Sequence, residues 1–280
     1  MSSTMPSPAS LLHDPAGNPA HPAFALAAIN RIRDAEDAAE LLERLVGAVA
    51  TIGATAGLYS TLFPEQGDEP SSFSLFACDP RFVHEQSGIG PWQDHPWLRF
   101  ARTRATPGTE LDIRVRTQSD RKALDLARSY GFASFLVVPT PAAAQLGRVG
   151  VLCLGSEQED YFQRDATRFA CLLAHALAAE LHEWVTTRAR LNLQRTANLA
   201  ARDIELLCMQ WHGLSSKAIA QRTGMSVAAV DSRFQRLVRR LECTNRKAAA
   251  RRAAEYGLLE GTAEWALDRP DRRKAVNASS

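Results

Sequence analysis

The chain has 280 residues, 45% of them hydrophobic and 23% charged, a balance typical of soluble globular proteins and sufficient for two domains with separate cores. The net charge of +2 conceals an asymmetry: residues 191–280 carry 16 Lys and Arg against 9 Asp and Glu, while the first 190 carry 17 against 22. Five scattered cysteines (Cys78, Cys153, Cys171, Cys208, Cys243), with no C-x-x-C pair and no zinc-spaced Cys/His cluster, exclude a disulfide framework and a structural metal.

Residues 1–22 are rich in Pro, Ser and Ala and lack both a basic n-region and an apolar h-region. They read as a disordered arm rather than a secretion signal. No run of about 18 uninterrupted apolar residues occurs, so a cytoplasmic protein with no membrane partner is expected. Residues 23–56 read as two helices, with Leu41, Leu42, Leu45, Val46 and Val49 at helical spacing. Gly57–Phe63 reads as a strand and Ser71–Ala77 as a weaker one. From Cys78 to Pro107 the chain is aromatic and irregular. Ser119 opens a helix that Gly131 ends as a left-handed cap. Phe132–Val138 and Arg148–Leu154 are β-branched apolar runs, hence neighbouring strands. Asp160–Val185 reads as a long helix with more apolar surface than one sheet covers, and residues 187–198 as a linker.

The remainder changes character. Leu199–Trp211 reads as a first helix with Leu199, Ile204, Leu207 and Trp211 on its core face, stopped by Gly213. Ser215 caps a second helix containing Ala218, Ile219 and Ala220; Gly224 supplies a turn; Ser226 caps a third helix that runs to about Leu241. A helix, a short Gly-containing turn and a Ser-capped second helix form a helix-turn-helix, a unit that places its second helix in the DNA major groove. That helix turns Val230, Phe234, Leu237, Val238 and Leu241 inward. About 15 residues at 1.5 Å per residue span roughly 22 Å. Between Ser215 and Arg252 there are ten basic and two acidic side chains, which suits a polyanion. The residues expected to meet DNA are Lys217, Ser226, Ala229, Asp231, Ser232, Arg233, Gln235, Arg236 and Arg239. A further helix over Lys247–Leu259 and a polar tail over 261–280 complete the chain.

This segment resembles the C-terminal domain of the LuxR family of bacterial transcription regulators. The shared residues are Leu199, Arg202, Glu205, Leu207, Gly213, Ser215, Lys217, Ile219, Ala220, Ser226, Val230, Leu241 and the closing Gly257-Leu258-Leu259. Three positions depart from the family pattern: Asp203 and Ala218 each replace a Glu, and Asp231 stands where Lys or Arg is usual. An aspartate there repels phosphate but can accept from a cytosine amino group; either it alters site preference or it is a solvent-facing residue with no readout role. The upstream region resembles the family's autoinducer-binding domain at Ala127–Phe132, Pro139, Gly147–Leu152 and Asp94–Ala101. The resemblance implies two domains: an N-terminal α/β/α sandwich with an antiparallel sheet (23–186) and a C-terminal all-α four-helix helix-turn-helix (199–260).

Ligand residues transfer less well. Acyl-homoserine-lactone receptors place an Asp before the Pro of the Asp-Pro segment to accept from the ligand amide; here His95 holds that place and Asp94 lies one earlier. The Pro-Phe-x-Trp element is Pro107-Gly108-Thr109-Glu110. Tyr59, Trp92, His95 and Trp97 are the candidate ligand-binding residues, each equally readable as structural. The expected protein is a sequence-specific transcription regulator of the quorum-sensing type, homodimeric on a two-fold double-stranded DNA site, sensing a small molecule, an acyl-homoserine lactone or another compound, and needing no cofactor. The alternative is a family member impaired in DNA binding that pairs with and inhibits another regulator. No G-x-S-x-G, H-E-x-x-H or phosphate-binding Gly loop points to an enzyme. The helical 23–56 segment does not suit a phosphate-receiver domain.

Overall fold

The computed structural model describes residues 21–64, 71–140, 148–163 and 168–259. The expected tail lies outside these residues, as does the arm except for residues 21 and 22, which open the first helix. Two compact units are present, with the main boundary between Val185 and Thr186.

The first unit begins with α1 (His21–Asn30) and α2 (Ala38–Thr51). Asp37 caps α2, its carboxylate accepting from the amides of Ala39 and Glu40 at 2.9 Å each. β1 (Ala56–Phe63) and β2 (Ser71–Ala77) follow. The aromatic segment expected to be irregular instead folds into two helices, α3 (Pro80–Ser87) and α4 (Pro96–Thr103). Each starts with a proline behind a capping side chain, Asp79 or His95; a proline there loses no helical hydrogen bond and presets φ. With only two turns apiece, neither shows enough periodicity to be read from sequence. β3 (Gly108–Thr109), α5 (Gln118–Ser129), β4 (Ser134–Pro139) and β5 (Val149–Ser156) complete the layer. The helix expected from Ser119 begins one residue earlier, capped by Thr117 in a capping box with Asp120.

The sheet order is β2-β1-β5-β4-β3. The β1/β5, β5/β4 and β4/β3 pairs are antiparallel, with Leu58 opposite Cys153 and Cys153 opposite Val137. Alternate residues face opposite sides. Leu58, Leu62, Phe135, Val137, Val151 and Cys153 share a core with Phe82, Trp97, Leu98 and Ala127 from α3, α4 and α5. On the reverse face, Gly57 lies against Val49 of α2, and Tyr59 bonds to His182 of the long helix α6 (Arg168–Thr196). Both sheet faces are therefore covered, giving an α/β/α sandwich. This explains why β1, β4 and β5 are buried almost throughout and lack clean polar alternation. α6 runs on through residues 187–196, where a linker was expected.

The second unit packs α7 (Ala201–Trp211), α8 (Ser216–Thr223), α9 (Val227–Arg240) and α10 (Arg246–Glu255) around Leu207, Ile219, Val230, Phe234, Leu237 and Leu241. Trp211, expected on the core face, is exposed; Leu206, Cys208 and Met209 are buried instead, and the packing stops short of the last residue of α7.

Gly155 marks a close backbone approach in the sandwich. A Cβ there would sit 2.5 Å from the Gly131 carbonyl oxygen and 2.5 Å from the Phe132 ring. Because one obstacle is backbone, Gly155→Ala is expected to cost about 1–3 kcal/mol through overpacking. Urea unfolding followed by tryptophan fluorescence measures this; an unchanged midpoint would contradict the close-packing account.

Candidate nucleic-acid interface

Local chemistry sets the helix-turn-helix. The Ser215 hydroxyl accepts from the Ala218 amide at 3.2 Å and starts α8. Gly224 ends α8 at φ +71°, a left-handed conformation that a side chain would strain. Ser226 then accepts from the Ala229 amide at 3.2 Å and starts α9. Val230, Phe234 and Leu237 bury one face of α9. Ser232, Gln235, Arg236 and Arg239 are exposed on it, spaced i, i+3, i+4 and i+7, so they form one stripe of donors and cations. Lys217 and Ser226 are also exposed, and Ala229 is half-buried.

Arg233 departs from expectation. Its Nε donates to Asp203 Oδ1 at 2.7 Å, so the guanidinium is tied to α7 rather than presented freely with its neighbours. Asp203 is 3% exposed. Its other oxygen accepts from the Ala200 amide at 3.1 Å and lies 3.6 Å from Arg240. Charge-assisted bonds to a buried carboxylate are the strong kind, and this one joins the start of α7 to the middle of α9. In the sequence, Asp203 shows only as an Asp in place of the family's Glu. Its role emerges only when residues 30 apart in the chain meet.

Asp231 is exposed but engaged: the Ser216 hydroxyl donates to its Oδ1 at 2.7 Å. Beside it, a cleft of about 630 Å³ is lined by Gln235, Arg239, Asn245 and Arg246 over a floor of Phe234 and Val238. Ser216, Asn245 and Arg246 escaped sequence reading, because they lie at the starts of the neighbouring helices rather than on the recognition helix itself.

Residues 197–253 match the family described as bacterial regulatory proteins, luxR family. The carboxyl-terminal domain belongs to the luxR family. Two solved structures share the fold of the chain as a whole. SdiA from Escherichia coli is 15% identical with a TM-score of 0.62, covering 85% of this chain and 98% of that one. SdiA in complex with octanoyl-rac-glycerol is 16% identical with a TM-score of 0.61, covering 85% and 96%. No curated protein matches the chain. At such identity the likeness is one of fold: a sandwich followed by a helical domain. Among the described residues, no helix is long and apolar enough to cross a membrane, and no three His, Cys, Asp or Glu side chains cluster as metal ligands.

In the unit preceding the luxR-family domain, three of the four candidate ligand residues converge. Trp92 and His95 stack with ring centroids 4.5 Å apart, His95 and Trp97 lie at 4.6 Å, and Trp97 packs on Phe132 and Phe135. Trp92 Nε1 donates to Ser60 Oγ at 2.8 Å. Tyr59 does not join them. It is the next residue along β1, so it points to the opposite face, where its hydroxyl meets His182 Nδ1 at 3.3 Å. A one-residue step along a strand reverses the face, and the sequence alone did not say which face of β1 Tyr59 would take. His95 Nδ1 accepts from the Trp97 amide at 3.3 Å. Burial, with help from the Arg99 cation, lowers its pKa to about 3, so at neutral pH the ring is uncharged and carries its proton on Nε2. Neither that nitrogen nor Trp97 Nε1 has a hydrogen-bond partner among the described residues, and both are buried. No carboxylate answers them: Asp94 is exposed, and Asp120 is occupied by Arg99 and the amides of Arg116 and Thr117.

Two expectations follow. Asp203→Ala leaves Arg233 and Arg240 without their carboxylate and uncaps Ala200. It should destabilise the luxR-family domain by about 2–4 kcal/mol, near the low end for a broken buried pair because Arg233 is partly exposed. Asp203→Asn, which keeps an oxygen for Ala200, should cost less; equal losses in thermal unfolding would argue against the network. The second concerns pH. Burial holds His95 near 3, and burial with Arg148 holds His182 near 4, against an ordinary 6.5. The unfolded chain therefore takes up protons that the fold refuses. Stability should be level above pH 6.5 and fall as pH drops from there toward 4, by at most about 1.4 kcal/mol per pH unit for each group. Asp120 adds to this only below its ordinary 3.8, because burial raises its pKa but Arg99 and the Arg116 and Thr117 amides lower it further. His95→Asn retains a capping acceptor and removes one titration, so its denaturation midpoint should fall less steeply over that range.

Proposed function

We propose that this protein is a cytoplasmic transcription regulator that binds double-stranded DNA through α9, as a homodimer on a two-fold site, under the control of a small molecule held by the sandwich. The observation that carries the DNA reading is the exposed Ser232–Gln235–Arg236–Arg239 stripe on a helix of the luxR-family domain. Gln and Arg are suited to base edges in the major groove, and Arg and Ser to phosphates. One such helix spans about 21 Å and contacts few base pairs, so two copies about 34 Å apart suit the expected pairing.

Support for a small-molecule ligand comes from the Trp92–His95–Trp97 cluster. Two buried N–H donors without partners, walled by aromatic rings, favour a largely apolar compound that offers acceptor oxygens. They do not favour one that relies on donating an amide N–H, because the neutral His95 presents a donor itself. SdiA, whose fold this chain shares, has been solved with octanoyl-rac-glycerol, and compounds of that kind are the first to try. The alternative, an inhibitor that pairs with another regulator, draws on one feature: Asp231 places a negative charge on the face that would meet phosphates.

Selection from a random duplex pool with the full chain is the test. Enrichment of inverted half-sites about ten base pairs apart is the expected result. On the selected duplex, Arg236→Ala should reduce the salt slope by roughly one unit and weaken binding without changing thermal stability. No enrichment, together with no binding at low salt, would overturn the regulator reading in favour of the inhibitor.

A further inference from the structure

Asp231 belongs to a relay that links the starts of two helices to the recognition helix. Arg246, the first residue of α10, donates from a terminal guanidinium nitrogen to Ser216 Oγ at 2.7 Å. Ser216, the first residue of α8, donates its own hydroxyl hydrogen bond to Asp231 Oδ1 at 2.7 Å. Arg246 and Asp231 are themselves 3.9 Å apart, with about half of each side chain in solvent: 40% and 51%. The relay borders the 630 Å³ cleft, where Arg239 supplies a second guanidinium and Asp231 is the acidic lining residue. A cleft with two guanidinium groups, an amide side chain and a hydroxyl has the donor set of a phosphate site, yet one of the two cations is already held by a carboxylate of the same chain.

We infer that Asp231 is an affinity-setting residue that competes with the DNA backbone for Arg246. In the free protein it occupies, through Ser216, the cation that a phosphate would engage, so docking exchanges carboxylate for phosphate at this point. The exchange cancels most of the gain from the Arg246–phosphate contact on any duplex. It therefore lowers the sequence-independent part of binding by about the same factor on every duplex, while the Gln235–Arg236 base contacts keep their own discrimination. This inference rests on the reading of α9 as the DNA helix. It differs from direct readout by Asp231, and from plain repulsion, because it requires Arg246.

The test is a two-by-two set in the full chain: wild type, Asp231→Asn, Arg246→Gln and the double variant. Each is titrated into a labelled mixed-sequence duplex at several sodium chloride concentrations, with anisotropy as the readout. Asp231 and Arg246 each have about half of the side chain in solvent, so folding is checked simply by circular dichroism. Asp231→Asn should bind roughly two- to five-fold more tightly, the scale of one exposed ion pair, with a salt slope steeper by about one unit. Neither gain should appear when Arg246 is already Gln. Ser216→Ala, which removes the bridge but keeps both charges, should give part of the gain. A gain from Asp231→Asn that persists in the Arg246→Gln background would show simple repulsion and overturn the inference; so would no gain at all. If wild type and every variant ignore duplex even at the lowest salt, the DNA reading itself falls and takes the inference with it.

Discussion

The recognition helix is only as well aimed as the carboxylate that holds it. Asp203 accepts from Arg233 and from the Ala200 amide, and lies within reach of Arg240. A buried anion with so many donors tolerates little movement, because each displaced bond leaves a charge or an amide without compensation. The hydrophobic seam of Val230, Phe234 and Leu237 keeps α9 on the scaffold, but apolar contacts are non-directional and would allow it to roll. The ion pair fixes the roll. That in turn decides which side chains point outward, and so the composition of the surface offered to DNA.

The sandwich is built on a different constraint. With both faces of its sheet covered, nearly every side chain on β1, β4 and β5 is buried, including Tyr59, Ser60, Thr61 and Ser134. Buried polar groups need partners, and most have them: Tyr59 meets His182, Ser60 meets Ser74 and Trp92, and Ser134 donates to Glu110. The exceptions therefore carry information. His95 Nε2 and Trp97 Nε1 lie together in the aromatic layer without an acceptor, while the other ring nitrogen of His95 is used to cap α4. Capping fixes the tautomer, and the tautomer makes the free nitrogen a donor.

The two units also differ in how they use charge. Within the sandwich, carboxylates cap helices, as Asp37 and Asp120 do, and pair with arginines of other elements, as Asp120 does with Arg99 and Glu180 with Arg33. In the luxR-family domain the cations of α9 divide into those paired with Asp203, the half-buried Arg233 and the exposed Arg240, and those that carry no such carboxylate, Arg236 and Arg239. Total basicity, which first drew attention to the segment, does not distinguish these roles; only the partner does.

The sequence by itself determined whatever depends on neighbours a few residues apart. The Ser215 and Ser226 caps, the Gly224 turn, the inward Val230-Phe234-Leu237 seam and the β4–β5 pairing were legible, because caps, turns and periodicity are local chemistry. So was the aromatic character of the Cys78–Pro107 segment, though not its two helices, which are too short to reveal a period. The tertiary structure alone decided the rest. It set the face on which Tyr59 lies, the commitment of Arg233 to Asp203, the continuation of α6 through residues 187–196 and the meeting of Asp231 with Ser216 and Arg246. Each depends on groups brought together from 15 or more residues away, or on which side of a strand or helix finds cover. A charge or a ring in a sequence has a type but no partner until the chain has folded around it.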